Sequence, residues 1–152
     1  MNALIVDDCG TTRKLLRGLL VSMGFRGCSE AGNGREALEA LRDFGGRPGL
    51  VLLDIHMPEM NGLEFLDIIR ENPGLAQLRV LIVTSEPCLD NGRWREECAC
   101  LKKPITAEGL REALIGLDFK PDGGKLRPPT LNPFLKGQAA QSRKPRPGAT
   151  LA

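Results

Sequence analysis

No apolar stretch in these 152 residues is long enough to cross a bilayer. Nor does the chain begin with a basic region followed by an apolar one. It runs straight into a strand-like segment, so no secretion signal is expected. None of the five cysteines (Cys9, Cys28, Cys88, Cys98, Cys100) stands in a Cys-x-x-Cys pair, and their number is odd. That usage reads as reduced thiols in a cytoplasmic protein. Cys98 and Cys100 would share one strand face, but no histidine or further cysteine lies near in sequence to complete a zinc site, which as a rule takes four ligands. Tyrosine is absent, and histidine occurs once, at His56. A lone histidine is ordinarily structural or solvent-exposed.

The charge is unevenly placed. From Lys120 onward seven basic residues face one acidic residue, a net +6, so the first 119 residues carry −4 of the overall +2. Six of the eleven prolines also lie beyond Lys120. Two parts follow: a domain over residues 1–119 and a basic, Pro/Gly-rich tail over 120–152. The tail has no sustained apolar period, so it is expected to be disordered. Its charge suits an anionic surface or nucleic acid, and the stretch Leu126 to Phe134 suits a proline-rich docking peptide. It is too short and too polar for a winged-helix effector domain.

Within the first part, four short apolar runs each end on a polar residue. Ala3-Leu4-Ile5-Val6 meets Asp7-Asp8, Leu50-Val51-Leu52-Leu53 meets Asp54, Val80-Leu81-Ile82-Val83 meets Thr84, and Ala99-Cys100-Leu101 meets Lys102-Lys103-Pro104. Continuous runs of this kind read as buried strands of a parallel sheet. Between them lie amphipathic segments. One places Leu15, Leu16, Leu19, Leu20 and Met23 on a helical face and stops at Gly24. One starts at Asn33 and carries Ala37, Leu38, Leu41 and Phe44. One opens at Asn61-Gly62 with Leu63, Leu66, Ile68 and Ile69 inward. One starts at Thr106 with Leu110, Ala113, Leu114 and Leu117. The crossover between Pro87 and Glu97 offers only Leu89 and Trp94 as apolar bulk, so its helix, the fourth, is expected to be short or irregular.

Strands alternating with helices predict an α/β fold. The runs at 3–6, 50–53 and 80–83 are wholly apolar and belong inside the sheet. The segments 27–31 and 99–102 are mixed and belong at its edges. A flavodoxin-like, doubly wound, five-stranded parallel sheet of order 2-1-3-4-5, with helices on both faces, satisfies this. Its switch point falls between strands 1 and 3. Ligands of such sheets bind beyond the carboxyl ends of the strands. One crevice would then collect Asp7, Asp8, Asp54, Thr84 and Lys103.

Three carboxylates brought together repel, and each tends to hold its proton. A divalent cation relieves the conflict, and Mg2+ suits a few oxygen ligands shared with a phosphate. One carboxylate can then attack phosphorus. Lys103 would balance the added charge, and the Thr84 hydroxyl would donate to a phosphoryl oxygen.

Residues 1–119 resemble the receiver domain of two-component response regulators, most closely the stand-alone chemotaxis (CheY-like) type. The resemblance is carried by Leu4-Ile5-Val6-Asp7-Asp8, by Asp54-Ile55-His56-Met57-Pro58-Glu59-Met60-Asn61-Gly62, by Val83-Thr84-Ser85-Glu86 and by Lys103-Pro104. It implies that Asp54 is the phosphoacceptor, served by a sensor histidine kinase or phosphotransfer protein. Mg2+ would be held by Asp7, Asp8, Asp54 and the backbone carbonyl of His56. Thr84 and Lys103 would contact the phosphoryl group, His56 and Glu86 would tune its lifetime, and a cis bond would precede Pro104. The family commonly has an aromatic residue three positions before the lysine, partnering the threonine in a switch; here that position is Cys100. The segment from Thr84 to Lys103 is shorter than the family pattern by about one helical turn, ~3.6 residues.

The function implied is a single-domain response regulator that signals to a protein partner by conformational change, and not a turnover enzyme. Two alternatives stand beside it. One is a receiver-fold scaffold that works without phosphorylation. The other is a metal-dependent phosphohydrolase, which the absence of Asp-x-Asp at Asp54 disfavours.

Overall fold

The apolar runs form the inner strands of one parallel sheet. The computed structural model describes residues 1–44, 47–86 and 98–119. In chain order these hold β1 (Asn2–Val6), α1 (Gly10–Ser22), β2 (Gly27–Ala31), α2 (Gly34–Asp43), β3 (Leu50–Leu53), α3 (Gly62–Glu71), β4 (Val80–Thr84), β5 (Ala99–Lys102) and a last helix, here α4 (Ala107–Gly116). The strand order is β2-β1-β3-β4-β5 and every pairing is parallel, as the polarity of the runs predicts. The crossover from Pro87 to Glu97, with Cys88 and Trp94, and the tail from Lys120 lie outside the described residues.

Successive strand residues point to opposite sheet faces, so fully apolar strands need cover on both. Ala3, Ile5, Leu50, Leu52, Leu81 and Val83 pack with Leu16, Leu20, Leu110 and Leu114, on the side of α1 and α4. Leu4, Val6, Val51, Leu53, Val80 and Ile82 pack with Ala37, Phe65, Leu66 and Ile69, on the side of α2 and α3. Three helices start on side-chain caps: Asn33 accepts from Glu36, Asn61 from Glu64 in a reciprocal capping box, and Thr106 from Gly109. Each cap satisfies an amide the helix itself leaves unpaired.

Two residues assigned inward from the sequence point outward. Leu15 is 47% exposed and Ile68 40%. A helix lying on a sheet buries a stripe. In α1 that stripe is Leu16 and Leu20, extended past the helix end by Met23. Leu15 lies ~100° round from Leu16, on the solvent side. The helix also begins well before that stripe, at Gly10. Phe25 and Phe119, which belong to no periodic run, join the core with ring centroids 6.0 Å apart. The Arg79 guanidinium carbon lies 4.9 Å from the Phe119 centroid. The reading of all thiols as reduced is corrected at one position. Cys9, Cys28 and Cys98 are free, whereas Cys100 is held in a disulfide.

Candidate functional site

The backbone ladder continues one residue beyond several strands, and those residues carry the site. Val6 is in register with Leu53, so Asp7 and Asp54 emerge side by side. The Asp54 amide donates to the Val6 carbonyl (2.8 Å), and the Asp7 amide to that of Ala31 (3.1 Å). At the far side the Lys103 amide donates to the Thr84 carbonyl (2.8 Å), and the bond from Lys103 to Pro104 is cis. Asp7, Asp54 and Lys103 continue the alternation of Ile5, Leu52 and Leu101, all of which face the α1 side. That shared parity brings three residues remote in sequence together.

Asp7, Asp8 and Asp54 each offer a carboxylate oxygen, and these atoms all lie within 4.8 Å of one another. Asp7 and Asp54 are buried, at 1% and 6% exposure, whereas Asp8 is exposed. Lys103 Nζ donates to Asp7 Oδ2 at 3.0 Å and stands 3.7 Å from Asp54 Oδ2. The lysine thus sits nearer Asp7 than the carboxylate it is expected to serve. Burial, reinforced by the negative charge of Asp7, pushes the Asp54 carboxyl above the usual aspartate value. Lys103 and the amides of His56 and Ile55 pull it the other way without winning. Burial works against the charge of Lys103, but its hydrogen bond to Asp7 and the charges of Asp7, Asp54 and Asp8 outweigh that and hold it above the usual lysine value.

A close approach fixes where Asp54 sits. A Cβ on Gly62 would collide with the Asp54 carbonyl oxygen and lie 2.9 Å from Ile55 Cα. Only glycine lets the start of α3 lie so close behind the end of β3. The Gly62 amide uses that closeness to donate to the Ile55 carbonyl at 2.9 Å.

The flanking residues lie around this cluster. Thr84 is fully buried, and its Oγ1 accepts from the Glu86 amide at 3.2 Å. That bond caps a turn and leaves the hydroxyl proton to donate elsewhere. His56 Nε2 lies 3.2 Å from Glu86 Oε1, both side chains being well exposed, so the pair spans the two loops at little energetic gain. Cys100 sits in β5 opposite Ile82 and packs, half-buried, on the α2 and α3 side.

Sequence reasoning missed the support behind the cluster. The Cys9 amide donates to Asp7 Oδ1 at 2.8 Å, and Arg13 Nη1 donates to the Asp7 carbonyl at 2.6 Å. Along the sequence Arg13 reads as solvated helix charge, and no spacing marks this support. The Cys9 thiol is also displaced downward. Thr12 first, and then the amides that open α1, favour the thiolate over the opposing effects of burial and of the Asp7 charge.

Three hard oxygen donors within one ion's reach, two of them buried, fit Mg2+. Burial first, and then the charge of Asp7, raise the Asp54 carboxyl, and a cation beside it would favour its ionised form.

Comparison with known proteins gives one answer. Residues 3–115 match the family model for the response regulator receiver domain. The chain is 34% identical over 117 residues to the chemotaxis protein CheY of Pseudomonas aeruginosa, covering 75% of this chain and 93% of that one. It is 35% identical over 119 residues to chemotaxis protein CheY-3 of Vibrio cholerae, covering 75% and 88%. Among solved structures, CheY in a CheX-CheY-BeF3-Mg+2 complex from Borrelia burgdorferi is similar, with 27% identity, a TM-score of 0.67, and coverage of 79% of this chain and 90% of that one.

Proposed function

The chain belongs to the response regulator receiver domain family and is CheY-like, and on that premise we propose that it serves as a single-domain response regulator of a two-component phosphorelay. Residues 1–119 act as the receiver, and 120–152 as a basic appendage. The phosphoryl donor is a histidine of a sensor kinase or phosphotransfer protein, and the site of action is cytoplasmic.

In this reading an Asp54 oxygen attacks phosphorus. A P–O bond forms, the P–N bond to the donor histidine breaks, and the imidazole leaves with a proton. Asp7, Asp8, Asp54 and the His56 carbonyl would hold Mg2+, which would supply positive charge beside the phosphoryl oxygens. The chain's own residues do the positioning. Gly62 sets the place of Asp54, Lys103 moves its ammonium from Asp7 toward the new anion, and Thr84 donates its hydroxyl proton. Water later attacks the acyl phosphate, with His56 and Glu86 at the mouth controlling its approach. This is self-modification and release, and not turnover of an external substrate. Coupling to the partner runs through the Thr84 turn, because Cys100 takes the place of the aromatic half of the family's switch. That CheY is found with CheX, BeF3 and Mg+2 in the Borrelia complex supports a protein partner and a phosphoryl-like ligand here.

The observation that carries the reading is the convergence of the Asp54 carboxylate with two further carboxylates and the Lys103 ammonium at the strand ends. Acetyl phosphate with Mg2+ is expected to place one hydroxylamine-labile phosphoryl group on each chain. Chelation of the metal, or Asp54→Asn, removes it. Stoichiometric label persisting on Asp54→Asn overturns the assignment. An unlabelled wild-type chain that still binds its partner supports the scaffold instead.

A further inference from the structure

Asp8, the exposed member of the acidic cluster, belongs to neither β1 nor α1. What directs it is the peptide joining it to Asp7. That peptide is planar, so holding its oxygen sets the plane from which the Asp8 side chain departs. The holder is Arg13, in the first turn of α1. Its Nη1 donates to the Asp7 carbonyl at 2.6 Å, and its Nε to Glu30 Oε2 at 3.1 Å. Glu30 lies in β2, in register with Ile5 of β1. Its other oxygen accepts from Arg17 Nε at 2.6 Å. The Arg17 hydrogen bond, with help from Arg13 and against burial, keeps the Glu30 carboxyl below the usual glutamate value. An anion in an edge strand thus orients one arginine, whose fork spans from that strand to the acidic doublet.

We propose that Arg13, oriented by Glu30, is a positioning residue for the Asp7-Asp8 doublet, setting the peptide between them so that both carboxylates and Asp54 serve one divalent cation. The inference rests on the reading of this cluster as a Mg2+ site.

Charge and geometry make opposite forecasts. Arg13 is a cation close to an anionic cluster. By Coulomb attraction alone, its removal tightens Mg2+ binding. If it positions the peptide, its removal weakens binding. Arg13→Lys keeps the charge but not the fork that reaches two acceptors at once. Glu30→Gln keeps Arg13 but replaces its charged anchor with a neutral one.

The test uses the full chain with Mg2+ alone as ligand, titrated by calorimetry, and circular dichroism to verify each fold. Arg13→Lys, Arg13→Ala and Glu30→Gln are each expected to weaken Mg2+ binding by about tenfold, the low end for loss of a partner that orients a metal ligand. In the metal-free protein the Cys9 amide, hydrogen-bonded to Asp7, is expected to exchange its hydrogen faster in all three. Wild-type affinity in Arg13→Lys, or tighter binding in Arg13→Ala, overturns the proposal. Should Arg13→Ala fail to fold, Arg13→Lys, which keeps the charge and loses the fork, decides. A wild-type chain that binds no Mg2+ sinks the metal reading instead. The exchange rate of Cys9, measured without metal, still settles the role of Arg13.

Discussion

Replacing Lys103 with methionine tests the electrostatics of the site most directly. Its ammonium lies 3.0 Å from one carboxylate oxygen and 3.7 Å from another. At an effective dielectric constant of about 20 these attractions amount to roughly 5.5 and 4.5 kcal/mol. The repulsion between Asp7 and Asp54, whose oxygens lie within 4.8 Å, is at least about 3.5 kcal/mol on the same scale. Burial of the ammonium offsets part of the gain. Breaking a buried pair by deleting one partner costs ~3–5 kcal/mol. Since the Lys103 side chain keeps 22% of its exposure, we expect the lower end, about 3 kcal/mol. For a urea slope of about 1.5–2 kcal/mol per molar, the midpoint falls by ~1.5–2 M. The folded lysine titrates above its ordinary value of 10.5. Its stabilisation is therefore fully present below pH 10.5 and fades as pH rises through the higher folded value, so pH 7 shows the whole effect. Mg2+ supplies the missing positive charge, and ligand binding stabilises the folded state by mass action. The gain in stability on adding Mg2+ should thus be larger in Lys103→Met than in the wild type. Urea melts with and without Mg2+ measure both. A metal-free variant within ~0.5 kcal/mol of the wild type, the range of an ordinary surface change, refutes the reasoning.

Further outcomes are expected. Asp54→Asn stabilises the metal-free fold at pH 7, because a carboxyl whose folded value is raised is penalised once ionised; the gain vanishes below the ordinary value of 3.8, where both states are protonated, and thermal melts across pH check it. Gly62→Ala forces backbone apart at Asp54 and Ile55, costing about 1–3 kcal/mol as other overpacking does and lowering the acetyl phosphate labelling rate. Leu16→Ala costs ~2–5 kcal/mol, while its exposed neighbour in Leu15→Ala stays within ~0.5 kcal/mol; equal losses at the two positions in denaturant melts would show that the α1 stripe has been misassigned.

What was legible in the sequence was legible for physical reasons. A strand buried on both faces must be apolar throughout, so β1, β3 and β4 identified themselves as central, and the flavodoxin-like order β2-β1-β3-β4-β5 is one that satisfies this. Asn33, Asn61 and Thr106 stood before apolar periods and proved to be helix caps. Asp7, Asp54 and Lys103 were found because each ends a strand of a sheet that binds ligands at that end. Arg13 was not found. On a helix it reads as solvated charge, and only the pairing of β2 beside β1 shows that Glu30 awaits it. Leu15 and Ile68 misled because an amphipathic stripe in sequence is wider than the strip a sheet can cover. Phe25 and Phe119 sit in connecting chain, where no period marks a buried residue. That Lys103 leans on Asp7 more closely than on Asp54 is a matter of 0.7 Å, below anything spacing along a chain conveys.

The pairing of Phe119 with Phe25 and Arg79 has a practical corollary. Phe25 precedes β2 and Arg79 precedes β4, so this aromatic clasp lies at the foot of the sheet, and the acidic mouth lies at its head. Any label, bead linker or fused fluorophore joined after Phe119 starts out from the far pole of the molecule. Tethering the domain to a sensor surface by its carboxyl end would leave the mouth turned toward the analyte.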